Sequence, residues 1–248
     1  MKTIMTHLVA GYPTEAESEK MALAMSKNGA GFLEIQIPFS DPIADGPTIF
    51  HANQVAIEKG MTTEKALKMI ERIRTRIDKK TKIVVMTYAN IPYHFGVQKF
   101  CEQLKRAGVY GLIVPDLPLA EEKNEHFIKI CRQHNIHAIQ IVSPITPETR
   151  LKAIAKVARG FVYCVSHTGK TGVQDSLDGS TLQYLDRVRK NIPRVPLALG
   201  FGISKPGHVK IALKKADIAI MGSVFIKLYE RGGLEEIEKF LQEIKEVK

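Results

Sequence analysis

One acidic residue stands inside an otherwise apolar run. Glu34 lies in Phe32-Leu33-Glu34-Ile35-Gln36-Ile37, which continues as Pro38-Phe39-Ser40-Asp41-Pro42-Ile43-Ala44-Asp45-Gly46-Pro47. Burying a lone carboxylate is costly and tends to raise its pKa toward neutrality, the property a general acid/base needs. The bland alternative is a buried Glu satisfied by a neighbouring Lys or Arg. Asp41 and Asp45 follow in a loop stiffened by Pro38, Pro42 and Pro47. Asp ahead of Pro or Gly is also ordinary turn chemistry.

Three glycine-bearing segments form a second group: Gly169-Lys170-Thr171-Gly172, Gly200-Phe201-Gly202-Ile203-Ser204 and Gly222-Ser223. Glycine lets backbone N–H groups approach an anion closely, so a phosphate is the natural ligand. Neither of two better-known motifs is completed. Gly169-Lys170-Thr171 lacks the earlier glycine of a P-loop, since Cys164 holds that place, and Lys205 stands where a dinucleotide fingerprint wants its third glycine. His134 and His137 have HxxH spacing but no acidic neighbour, which argues against a metal site. Asp116, in Val114-Pro-Asp-Leu-Pro118, reads as a helix cap or a site residue.

Short β-rich runs recur along the chain: Ile4–Val9, Phe32–Ile37, Ile83–Tyr88, Gly111–Val114, His137–Val142, Phe161–Val165, Val195–Leu199 and Ile218–Met221. Helical periods separate most of them, as in Ala66, Met69, Ile70, Ile73 and Ile77, and again in Leu234, Ile237, Phe240, Leu241 and Ile244. Thr146-Pro147 reads as an N-cap followed by proline at the first helical position. Alternating strands and helices imply a parallel sheet, and eight strands in about 250 residues suit a (β/α)8 TIM barrel. A doubly wound sheet is the competitor. No linker or composition shift divides residues 1–248, so one domain is expected. In such a barrel Glu34, Asp45, Asp116 and the glycine segments all fall at the C-terminal ends of strands, where chemistry sits and phosphates bind. His134 and His137 fall at the opposite end.

Composition fits this reading. Of 248 residues, 44% are hydrophobic and 25% charged, which excludes disordered and fibrous classes. The net charge of +10 is spread over helical stretches, tryptophan is absent and aromatics are 7%, so a nucleic-acid surface is not indicated. Three cysteines without a CxxC argue against a disulfide framework. With no signal-peptide core and no membrane-length apolar run, a cytoplasmic enzyme is expected.

The run Glu34–Thr48 resembles the signature of the tryptophan synthase α subunit family. The likeness continues in Met86-Thr-Tyr-Ala-Asn90, Val114-Pro-Asp-Leu-Pro118, Gly160-Phe-Val-Tyr-Cys-Val-Ser166, Gly200-Phe-Gly-Ile-Ser204 and Met221-Gly-Ser223, in order along nearly the whole chain. The resemblance implies a TIM barrel that cleaves indole-3-glycerol phosphate to indole and glyceraldehyde 3-phosphate without a cofactor. It further implies α2β2 assembly with a PLP-dependent β subunit that receives the indole. It gives Glu34 the acid/base role and Asp45 the indole N–H. Tyr163, Tyr88 and Phe201 become substrate-lining residues, with Asp116 near the site and the subunit boundary. Gly172, Gly202, Gly222 and Ser223 become the phosphate site, with no metal. The loop Pro38–Pro47 would face the β subunit, and the loop 167–173 would close over substrate.

Four departures stand out. Gln36 replaces a usual glycine; two residues from Glu34 on a strand, it should project the same way, narrowing the site, altering the Glu pKa or marking a bulge. His7 stands where the family often carries an apolar aromatic near the indole pocket. Lys170 replaces a small apolar residue in the closing loop. Only a few residues precede Ile4, leaving no room for the short helix that usually comes before the first strand. Gln36, His7 and Lys170 support a second reading, a non-catalytic partner that activates a β subunit allosterically.

Overall fold

The computed structural model describes residues 2–165, 179–200 and 202–247. All the described strands are parallel: β1 (Thr3–Val9), β2 (Phe32–Gln36), β3 (Lys82–Met86), β4 (Val109–Ile113), β5 (His137–Ala138), β6 (Gln140–Val142), β7 (Val162–Val165), β8 (Leu197–Gly200) and β9 (Ile218–Met221). Their order is β5-β4-β3-β2-β1-β9-β8-β7-β6, a nearly closed barrel with helices packed outside. The doubly wound alternative is thereby excluded, since neither it nor any open sheet brings the first and last halves of one run to opposite edges. β5 and β6 are the halves of the expected strand His137–Val142, parted at Ile139, whose N–H still donates to the Leu112 carbonyl at 2.9 Å. The ladder changes partner there, from β4 on one side to β7 on the other. Gly111 gives the Ile139 side chain its room, because a Cβ on Gly111 would come within 3.2 Å of the Ile139 Cδ1.

Strand side chains alternate between two buried clusters. Met5, Phe32, Val84, Met86, Ile113, Ile139, Phe161, Ala198, Ile218 and Ile220 pack in the barrel interior. Ile4, Leu8, Leu33, Ile35, Ile83 and Val85 face the helical layer. Both faces are covered, which is why the strands read as continuous apolar runs. The even-numbered set on β2 places Glu34 and Gln36 inside, between hydrophobic layers. At the N-terminal mouth, Lys82 Nζ lies 4.4 Å from the Tyr110 ring centroid and 5.4 Å from that of Phe32. His137 packs against Tyr110 here, away from the strand C-termini, and among the described residues no cluster suits a metal ion.

The helices follow local signals with one correction. Thr62 caps Thr63–Arg76 by accepting from the Lys65 N–H at 3.3 Å, and Ala66, Met69, Ile70 and Ile73 form its buried stripe. The apolar period ending at Ile244 belongs to Ser223–Val247, broken at Gly232 and Gly233. Thr146 is not an N-cap: its hydroxyl turns back to accept from the Ser143 N–H at 2.9 Å, and the helix Glu148–Val157 begins after Pro147 without a side-chain cap. The three cysteines are buried and reduced, with Cys101 and Cys131 sulfurs 3.8 Å apart.

Asp217 ties three strands together at the barrel base. Its carbonyl accepts from Thr3 at 3.0 Å, its N–H donates to Leu197 at 2.9 Å, and its carboxylate accepts from the Leu197 N–H at 2.8 Å and pairs with Arg189. Burial pushes its pKa up, but the Leu197 N–H and the Arg189 charge outweigh this and hold it below 3.8. A depressed folded-state pKa contributes stability that is complete above the unfolded value and fades as pH falls through the folded one. Asp217→Asn should therefore lower stability by about 1 kcal/mol at neutral pH, with the deficit shrinking below roughly pH 3.8. Urea unfolding at several pH values checks this; a deficit constant down to strong acid contradicts it.

Candidate active site

The C-terminal end of the barrel holds a polar group sunk between apolar layers. His7 on β1 and Glu34 on β2 are direct partners in the parallel register, and His7 Nδ1 lies 3.4 Å from Glu34 Oε1. They are 3% and 4% exposed, so the pair lies out of water. The partner of Glu34 is thus a histidine rather than the Lys or Arg considered from sequence. Burial depresses the His7 pKa, but its hydrogen bond to Glu34 and the charges of Glu34 and Asp45 overcome this and leave it raised above 6.5.

Gln36, fully buried, projects on the same face as Glu34 without a bulge, because β2 keeps a regular register with β1 and β3. Its amide nitrogen donates to Asp45 Oδ2 at 2.6 Å. Tyr88 donates to the same oxygen at 3.1 Å and accepts from the Ala44 N–H at 3.1 Å. Its ring stacks on Phe39 with centroids 5.2 Å apart. The proline-rich loop is thereby tied down and holds Asp45 over the barrel mouth. Burial raises the Asp45 pKa above 3.8, opposed by Gln36, His7 and Tyr88, and reinforced by Glu34. Asp41 stays outside, exposed beside Ser40.

Tyr163 on β7 lines the same cavity as His7, Glu34, Gln36 and Asp45, with burial and both carboxylates pushing its phenol pKa well up. A Cβ at residue 200 would come within 2.8 Å of the Tyr163 ring, so Gly200 makes room for it. Met86, Ile113 and Ile141 supply an apolar wall. Gly222 also lines the cavity, and Ser223 opens the helix that follows β9. Gly202 follows β8 with φ +26°, a backbone that favours glycine. Gly172, Lys170 and Phe201 lie outside the described residues, as does the loop 167–173. Asp116 does cap a helix, though not its own: both carboxylate oxygens accept from the Ala89 N–H, at 2.9 and 3.1 Å, at the start of Asn90–Phe95.

One supporting residue escaped the sequence reading. Asn53, fully buried in the helix Pro47–Glu58, accepts from the Phe39 N–H at 3.0 Å and donates to the Ile49 carbonyl at 2.8 Å. A polar residue on the apolar face of that helix was its only signal. Four buried polar atoms are left without a partner among the described residues: His7 Nε2, Glu34 Oε2, Gln36 Oε1 and Thr87 Oγ1. Three of them belong to residues on this cavity wall. Unpaired buried polar atoms are costly, and a bound molecule with polar groups of its own would relieve those on the cavity wall.

The family model described as tryptophan synthase alpha chain matches residues 1–248. The chain is 37% identical over 242 residues to the tryptophan synthase alpha chain of Syntrophotalea carbinolica, covering 98% of this chain and 94% of that one. Over 250 residues it is 36% identical to that of Petrotoga mobilis, covering 98% and 95%. Among solved structures, the tryptophan synthase α2β2 complex from Pyrococcus furiosus aligns with a TM-score of 0.89 and 34% identity, over 99% of this chain and 97% of that one. Tryptophan synthase from Mycobacterium tuberculosis aligns with a TM-score of 0.90 and 29% identity, over 99% and 92%. On a match that runs the full length of the sequence and a barrel shared with these structures, the chain belongs to the tryptophan synthase alpha chain family.

Proposed function

We propose that residues 1–248 form one cytoplasmic domain, the lyase subunit of tryptophan synthase. It cleaves indole-3-glycerol phosphate to indole and glyceraldehyde 3-phosphate and passes the indole to a β subunit within an α2β2 assembly. The observation that carries this reading is a buried carboxylate, Glu34, and a half-buried one, Asp45, on one apolar-walled cavity with separate partners. No described helix is long and apolar enough to cross a membrane.

The chemistry follows from these positions. Protonating the indole ring at C3 makes the ring nitrogen cationic and turns the ring into an electron sink. Glu34 supplies that proton. Asp45 accepts the ring N–H and stabilises the positive charge as it develops. Gln36 and Tyr88 both donate to Oδ2, which leaves Oδ1 for the ring. The side-chain hydroxyl then loses its proton to Glu34, the carbon–carbon bond breaks, and its electrons return to the ring. The products are indole and an aldehyde, with no net proton change. The ring does the work of an electron sink, so this chain needs no cofactor; PLP belongs to the β partner.

Tyr163 and Tyr88 flank the ring, with Phe201 beside them. The phosphate is held by Gly172, Gly202, Gly222 and Ser223, where glycines and a helix N-terminus offer backbone N–H groups. The partner surface is centred on the loop Pro38–Pro47, where Ile43 is 81% exposed.

Steady-state indole release by the purified chain, with and without a β subunit, tests the reading. Cleavage should be weak alone and rise strongly with the partner. Glu34→Gln should cut it by about 10²–10⁴-fold while the chain stays folded and still activates the partner. Bound partner without cleavage in the wild type would favour the regulatory reading instead. Asp45 must be ionised to accept the ring N–H, so activity should fall as pH drops through its raised pKa. Gln36→Ala removes a donor that lowers that pKa and should move the acid limb of kcat/KM to higher pH. An acid limb that stays put or moves down contradicts the role of Gln36.

A further inference from the structure

We propose that His7 is a positioning residue that shares one proton with Glu34 and thereby sets the upper pH limit of cleavage. The inference rests on the lyase reading and adds to it the source of the first proton. The geometry carries it: His7 Nδ1 is 3.4 Å from Glu34 Oε1, in direct register across β1 and β2, and both side chains are buried. His7 Nε2 and Glu34 Oε2, the two outer atoms of the pair, are buried without partners among the described residues. Both residues line the cavity.

The surroundings leave this pair to determine the proton's place. On the β2 side His7 faces Glu34, and from the loop above it feels Asp45. On the other side β9 offers only Ile218-Ala-Ile-Met221, with no titratable group. Tyr163 across the cavity holds its phenol proton well beyond neutral pH. The helices packed on β1 meet Ile4 and Leu8 on its opposite face.

The pair carries one proton, on His7 as imidazolium or on Glu34 as carboxylic acid. At the start of cleavage the proton passes from Nδ1 to Oε1, and Glu34 delivers it to the ring carbon. As the carbon–carbon bond breaks, Glu34 takes the hydroxyl proton, and the pair is restored with the proton back on His7. Nothing else is consumed. A carboxylic acid alone gives up its proton at a lower pH than an imidazole does, so without His7 the loaded form is lost earlier as pH rises.

The test is the pH dependence of kcat/KM for indole-3-glycerol phosphate, with β subunit saturating, for wild type, His7→Gln and His7→Phe. The Gln variant keeps a donor toward Glu34 but cannot titrate, which protects folding. Expected is a basic limb moved at least about one pH unit lower in both variants, with KM nearly unchanged. A basic limb in the same place in all three overturns the inference and leaves the lyase reading intact. No cleavage by the wild type at any pH overturns the lyase reading, and this one with it. Nuclear magnetic resonance of the His7 imidazole in the unmodified chain supplies a readout independent of turnover. It should titrate above 6.5 and fall in Glu34→Gln; titration below 6.5 in the wild type overturns the pairing.

Discussion

A carboxylate inside a closed barrel must find partners there, because the strands on every side are hydrophobic and water is largely excluded. Two carboxylates reach the same cavity in this chain, and each is met differently. Glu34 has a group that can take or give a proton, His7. Asp45 has two neutral donors on one oxygen, Gln36 and Tyr88. Neutral donors favour an ion without offering it a proton, whereas a histidine invites exchange. The two carboxylates therefore differ in the chemistry of their partners, as the proposed division between a proton carrier and a fixed negative charge requires.

The rest of the molecule serves to hold these few atoms in place. Period-two alternation puts Glu34, Gln36 and His7 in the interior while Leu33, Ile35 and Leu8 anchor the same strands against the helices. Tyr88 stacks on Phe39 and bonds to Ala44, so the loop that carries Asp45 is fixed at two points. Asn53 holds the Phe39 backbone from below. At the far end of the barrel, Asp217 joins β1, β8 and β9, and Lys82 lies over two aromatic rings. Apolar interior residues such as Phe161, Met5 and Val84 lie between the two ends.

Much of this was legible in the sequence, for physical reasons. Apolar runs alternating with helical periods point to a parallel sheet, because strands buried on both faces have no polar side to show, while closure into a barrel is decided by the ladder around Ile139. Glu34 was conspicuous as an acid among Ile, Leu and Phe. Its partner was not, because His7 lies on another strand and meets Glu34 only through the register of β1 against β2. Gln36 could be placed on the Glu34 face by counting, but its bond to Asp45 depends on how the proline loop folds back. Asp116 was readable as a cap, yet the helix it caps starts at Asn90 on a different strand's loop, a long-range fact. Thr146 misled because a hydroxyl before proline has a competing use inside its own turn. The break at Ile139 was hidden because apolar residues run straight through it. The glycine segments announced an anion, while roles for Tyr163, Tyr88 and Phe201 came from the family likeness alone.

In the proposed cleavage Glu34 meets ring C3 and Asp45 meets the ring N–H of the same indole. A crystal structure of the Glu34→Gln chain with indole-3-glycerol phosphate tests it most directly. The ring nitrogen should lie within hydrogen-bond distance of Asp45 Oδ1, with the amide introduced by that substitution against ring C3 and the phosphate at Gly222 and Ser223. A ring seated away from Asp45, or a phosphate bound elsewhere on the barrel, would contradict it.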